Sequence, residues 1–247
     1  MIRLLALREL RGLFAMPSTW FVLAVLQFIF AWFFLARLDA FLEIQPQLAQ
    51  LANPPGVTIT VAAPMFNTVA LLLMMLVPMF TMRLIAEERR NQTLTLLLSA
   101  PLSGYHIVLG KFFGLLIFLV VLMAGMPLML YTLALGTTLD HGLLLGNILG
   151  LLLLTASYVA LGLYVSALTT QPVIAAIGAL AVLVGLWLAD IGASAEDSPW
   201  HFISPLNHFQ NFNVGLLDSG DTAFFILFTA VFLLLAMRRI HNNRIYG

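Results

Sequence analysis

Six times along this sequence a run of roughly 20 apolar residues passes with almost no charge, and that is the length an α-helix needs to cross the hydrocarbon of a bilayer. The runs cover residues 20–38, 64–85, 107–135, 143–168, 172–191 and 222–237, and the third is long enough to tilt or break near Pro127. The chain as a whole is 62% hydrophobic and 9% charged, with a mean hydropathy of +1.02. A soluble domain carries roughly 25% charged residues. So few polar side chains cannot cover a water-facing surface, which argues against a large soluble core. No repeat, low-complexity tract or soluble insertion interrupts the pattern, and residues 45–64 read as an outside loop. The expected fold is therefore one all-α membrane domain over residues 1–247, with six transmembrane helices.

Charge placement gives the orientation, because Lys and Arg flanking the spans are retained in the cytoplasm. With six spans, one side holds Arg3, Arg8, Arg11, Arg83, Arg89, Arg90, Lys111, Arg238, Arg239 and Arg244, and the other holds only Arg37. Acidic residues run the opposite way: Glu9, Glu87 and Glu88 lie on the basic side and Asp39, Glu43, Asp140, Asp190, Glu196, Asp197, Asp218 and Asp221 on the other. Five spans would put Arg238, Arg239 and Arg244 outside and break this agreement. Both termini are expected in the cytoplasm.

The basic N-terminus before an apolar run is like a signal peptide, but no small-x-small cleavage site follows at residues 36–39, so the first run reads as an uncleaved span. Ahead of it, Leu7, Leu10 and Phe14 recur at spacings of three and four while Arg8 and Arg11 point elsewhere. This predicts an amphipathic helix in the cytoplasmic interface, closed off by Pro17.

Several chemistries are missing. The segment from Gly104 to Phe112 approaches a phosphate-binding loop but has the wrong glycine spacing, and Phe112 replaces the hydroxyl that would hold magnesium. With no cysteine there is neither a disulfide scaffold nor a thiolate zinc site. His201 and His208, near Asp218 and Asp221, are the one conceivable metal cluster, although histidine in a polar loop more often hydrogen-bonds or faces water. Polar residues at membrane depth (Gln27, Asn67, Asn147, Thr155, Ser157, Tyr158 and Tyr164) are all uncharged, which disfavours an ion-coupled carrier. They are expected to satisfy one another between helices rather than line a polar path. Gly146 with Gly150 and Ala156 with Ala160 form small-xxx-small pairs that admit a neighbouring backbone, within the monomer or across a dimer.

The most chemically distinct segment joins the second and third spans on the cytoplasmic side. Its charges, Glu87, Glu88, Arg89 and Arg90, come first; Leu94, Leu97 and Leu98 follow at helical spacing, and Pro101 ends the pattern. Such a helix fits a groove on a soluble partner. The same pattern is met by a solvated charged turn with an interface anchor.

In this segment the sequence resembles the ABC-2 permease family, whose pattern is Glu, basic residues, Gly-Thr-Leu-Glu, Leu-Leu, Pro and Gly-Lys. Glu88, Arg89, Arg90, Thr93, Leu94, Leu97, Leu98, Pro101, Gly110 and Lys111 match, while Gln92 stands where Gly is usual and Thr95 where Glu is usual. Further matches lie at Gly162, Ser166, Leu168, Thr169, Gln171 and Ala175, and at Ser204, Pro205, His208, Phe209, Phe212, Gly215 and Asp218. The nearest likeness is to the six-span branch that includes the gliding-motility and nitrous-oxide-reductase maturation permeases.

The resemblance implies a permease homodimer in a bacterial inner membrane, carrying two copies of a separate ATPase subunit. That subunit would bind ATP and magnesium, and this chain would hold no cofactor and do no catalysis. The segment of Glu87, Glu88, Arg89, Arg90, Thr93, Leu94, Leu97, Leu98 and Pro101 would be the coupling helix. Lys111 and Arg83 would snorkel at the membrane border, and Trp200, Phe202, Phe209 and Phe212 would anchor short outer helices at the headgroups. Function would be ATP-driven export of a hydrophobic or amphipathic substrate along the dimer interface, or force transmission to a periplasmic partner without transport. Lipid is an expected partner and nucleic acid is not.

Overall fold

The computed structural model describes residues 1–48, 50, 56–92, 103–192 and 201–246. Among them the elements are α1 (Ile2–Ala15), α2 (Pro17–Leu48), α3 (Ala63–Met82), the single turn α4 (Glu88–Arg90), α5 (Gly104–Met123), α6 (Gly125–Tyr131), α7 (His141–Leu168), α8 (Pro172–Ile191), α9 (Pro205–Asn213) and α10 (Ser219–Tyr246). Six stretches are long and apolar enough to cross a membrane: Pro17–Gln47, Thr58–Arg90, Gly104–Leu135, His141–Leu168, Pro172–Ile191 and Ser219–Asn242. The expected all-α, six-span architecture is what the chain forms.

The fifth span begins and ends where the apolar run does. The first and second extend further: helix continues to Leu48, and a π-helical turn at Thr58–Ala62 leads into α3. Much of the expected outside loop over 45–64 is therefore helical. Hydropathy marks where lipid stops, whereas helix continues for as long as its hydrogen bonds do.

The third span breaks, as its length and Pro127 lead one to expect, and the interruption falls at Ala124. Pro127 lacks an N–H, and its ring presses on the carbonyl four residues earlier, that of Met123. Beside the interruption the Leu122 carbonyl lies in a water-free environment, where a donor from elsewhere in the protein is favoured. Gln27 of the first span supplies it through Nε2 at 2.8 Å. Other membrane-depth polar groups also find partners inside the protein, with the buried Asn147 Oδ1 an exception among the described residues. Gln210 donates to Asn67, the Ser157 hydroxyl meets that of Thr229, and Asn147 and Thr155 donate to carbonyls of their own helix.

The second, third and fourth spans make the core, filled by Phe66, Phe118 and Tyr158. The first, fifth and sixth are peripheral. Phe21 at 71% exposure, Phe28 at 69% and Leu227 at 67% would be costly in water, but they suit a lipid-facing surface.

On the outer side α9 lies against α7. Gly150 leaves room for it: a Cβ there would stand 2.7 Å from the Phe212 Cβ, so the small-residue pair of the fourth span serves packing within the chain. Phe209 and Phe212 are fully buried, contrary to the expectation that they anchor at headgroups; Phe202 is exposed, and Trp200 lies outside the described residues. The aromatic spacing of α9 points its rings at α7 and α10. Gly150→Val should destabilise the protein by about 1–3 kcal/mol through overpacking, whereas Gly185→Val, with no neighbour within 4 Å, should cost far less. Thermal unfolding in detergent reads the difference; equal losses would contradict this packing.

Candidate functional site at the end of the second span

The second span ends irregularly. From Arg83 to Glu87 the helix widens into a π-turn, a geometry that disturbs the regular backbone ladder. Ser166 of the fourth span repairs it: its buried hydroxyl accepts from Ile85 N–H at 3.3 Å and Ala86 N–H at 3.0 Å, and donates to the Met82 carbonyl at 3.2 Å. This side chain fixes the direction in which Glu87 and Glu88 leave the membrane. One more turn, Glu88–Arg90, follows. The helix then stops at Gln92, whose φ of 57° lies in the left-handed region that favours glycine. Here the family pattern has glycine, and the backbone supplies the reason.

Glu88 leads to the chain's only lysine. Lys111 Nζ donates to Glu88 Oε1 at 2.7 Å and to Glu9 Oε1 at 2.6 Å, with 4% of the lysine side chain exposed against 22% and 24% for the two carboxylates. Lys111 therefore does not snorkel toward lipid phosphates, a correction to the reading above. A buried ammonium with two close carboxylates gains more from them than from a distant headgroup. Arg83 is exposed, as the snorkelling expectation requires, and its Nη1 lies 3.5 Å from the Met16 sulfur.

The triad joins three elements because α1 docks tightly on the third span. A Cβ at Gly110 would stand 2.5 Å from the Leu5 Cβ, and one at Gly114 would stand 2.8 Å from the Glu9 Cβ and 3.0 Å from the Ala6 carbonyl. Only glycines let α1 approach this closely. The docked face consequently carries Leu5, Ala6, Glu9 and Leu13, with Ala6 and Leu13 buried and Leu7 41% exposed. The stripe of Leu7, Leu10 and Phe14 is expected at the membrane interface, which exposed Leu7 suits; the face turned to the protein is a separate one, chosen by a glycine groove and an ion pair. Phe14 still packs edge-on against Phe118.

Of the nine expected site residues, Glu87, Glu88, Arg89 and Arg90 sit together on this last turn, half-buried except for exposed Arg90. Thr93, Leu94, Leu97, Leu98 and Pro101 lie outside the described residues, as does Thr95. Glu9 and Ser166 gained no such role from sequence reasoning. The signals were there: an acid amid the apolar positions of α1, and one lysine among so many arginines.

The two histidines are engaged separately, each by its own carboxylate. His201 Nδ1 pairs with Asp190 at 2.6 Å, and His208 Nδ1 pairs with Asp221 at 2.5 Å. No group of three or more His, Cys, Asp or Glu with metal-binding geometry occurs among the described residues. These pairs instead tie the segment around α9 to the outer ends of the fifth and sixth spans.

Six apolar helices with their buried cation at one border, and only neutral polar groups at mid-depth, define a multi-pass α-helical membrane protein. A family model described as "ABC-2 family transporter protein" matches residues 4–241, so the chain belongs to that family and is a membrane permease component of ABC transporter type. Comparison with curated proteins gave no match.

Lys111→Met should lower stability by about 3–5 kcal/mol, the cost of leaving partly buried carboxylates without their cation. Adding Glu9→Gln should recover part of the loss by removing one of those orphaned charges. Denaturation in detergent measures both; a double variant less stable than Lys111→Met would contradict the triad.

Proposed function

We propose that the chain is the permease subunit of an ATP-driven exporter, in which a separate ATPase subunit binds ATP and magnesium and does the hydrolysis. Two permease copies and two ATPase copies would form the working complex, in a bacterial inner membrane. The segment from Glu87 through Pro101 would be its coupling element, with Glu87, Glu88, Arg89, Arg90, Thr93, Leu94, Leu97, Leu98 and Pro101 as the residues that receive the ATPase.

The observation that carries this reading is the salt-bridge triad. Glu88, at the root of the proposed coupling segment, is joined through Lys111 to the third span and to α1. A push on that segment therefore reaches three elements at once, which is what a lever needs. Family membership supports an ATPase partner in general terms.

Export is favoured over pure force transmission by a cavity of about 710 Å³ between the broken third span and the fourth, walled by Phe66, Met123, Leu128, Leu144, Ile148 and Leu151. Its size suits a small apolar or amphipathic molecule. The gliding-motility and nitrous-oxide-reductase maturation branch remains the proposed affiliation, on the sequence pattern alone.

Glu88→Ala should abolish the permease's stimulation of its ATPase while leaving membrane insertion intact, and Glu88→Gln, which keeps an oxygen acceptor for Lys111, should do the same with a smaller loss of stability. ATP hydrolysis by the purified complex, compared with the ATPase alone, checks this; stimulation equal to that of the parent would remove Glu88 from the coupling role.

A further inference from the structure

Between the end of the second span and the start of the fifth lies a cavity of about 530 Å³, lined by Arg89, Arg90, Gln92, Thr170, Gln171 and Val173. Its charge is all of one sign. Arg89 buries its Nη2 with no hydrogen-bond partner among the described residues, and none of the ion pairs found among them engages Arg89 or Arg90. Arg239, at the cytoplasmic end of the sixth span, acts on Arg89 as a further like charge. The 20-residue fifth helix starts at the same place with Pro172 in its first turn and no side-chain cap from Gln171. Its positive dipole end and first-turn amides are therefore left uncapped beside the two guanidinium groups. A buried, unpaired donor such as the Arg89 Nη2 costs free energy unless an acceptor meets it, and guanidinium groups match the oxygens of a phosphate in both geometry and charge.

The surroundings indicate which anion. From the cavity rim an apolar stripe of Val173, Ile174 and Ile177 runs along one face of the fifth helix into the membrane, 64%, 54% and 62% exposed. A free phosphate or a protein carboxylate would use the basic cavity alone. A phospholipid uses both. We infer that this cavity binds the phosphate of an anionic phospholipid of the cytoplasmic leaflet, with an acyl chain along Val173, Ile174 and Ile177. Basic pockets between spans on the cytoplasmic side are suited to such headgroups. The lipid ties the second span to the fifth at the point where the Glu87–Arg90 turn leaves the membrane, and this holds whether or not that turn meets an ATPase.

Native mass spectrometry of the full chain, in micelles holding equal amounts of phosphatidylglycerol and phosphatidylcholine, tests the site. The parent should retain phosphatidylglycerol over phosphatidylcholine by about tenfold, as two basic residues at a headgroup allow. Arg89→Gln with Arg90→Gln should lose that preference, and exposed Arg90→Gln alone, with little to disturb in folding, should lose part of it. Arg8→Gln with Arg11→Gln, on α1, should keep it. Equal retention of the two lipids by the parent, or a preference that survives in the Arg89/Arg90 double variant, would overturn the proposal. So would inorganic phosphate displacing the lipid and remaining bound at millimolar concentration, which would identify a soluble anion as the ligand.

Discussion

The ion triad of Lys111 with Glu9 and Glu88 is the interaction on which the end of the bundle that carries α1 depends. A lone ammonium that far from water would be prohibitive, and two carboxylates close to each other would repel; together they hold one another in place. The three groups come from α1, from the turn after the second span and from the third span. None of these could shift far without separating charges in a medium of low dielectric. Position matters as much as strength, because the triad sits where the chain leaves the membrane for its proposed partner.

Everywhere deeper, the bilayer demands that backbone groups find partners inside the protein. At two breaks in regular helix a side chain from another span supplies one. Ser166 serves the π-turn of the second span, and Gln27 serves the broken third span. These irregularities are thereby fixed in place. The first directs the proposed coupling segment, and the second shapes the large apolar cavity beside Pro127. On the outer side the His201–Asp190 and His208–Asp221 pairs play the corresponding part for α9.

Span number and the break near Pro127 were legible in the sequence, because each follows from local composition and a simple rule about lipid; of the mid-membrane polar residues expected to satisfy one another between helices, Asn67 and Ser157 meet a polar side chain of another helix, while Asn147 and Thr155 bond within their own. What escaped was whatever depends on which surfaces meet. Periodicity in α1 indicated the side that suits the interface, but the side that docks on the protein, with Ala6 and Glu9, was selected by the glycines at 110 and 114, far along the chain. Lys111 looked like one more border cation because its partners are 23 and 102 residues away. Phe209 and Phe212 were read as headgroup anchors for want of any sign that Gly150 had left a space for them. The leucines of the expected coupling helix lie outside the described residues, so that part of the site rests on pattern and resemblance.

The central claim is that α1, the end of the second span and the start of the third move as one body through Lys111. Since the chain has no cysteine of its own, spin labels can be placed singly at Arg11→Cys and Asn91→Cys, both exposed, and the distance distribution between them measured in the presence and absence of Lys111→Met. The account predicts a narrow distribution with Lys111 and a broad one without it. Distributions of equal width would show that the triad does not hold the three elements together.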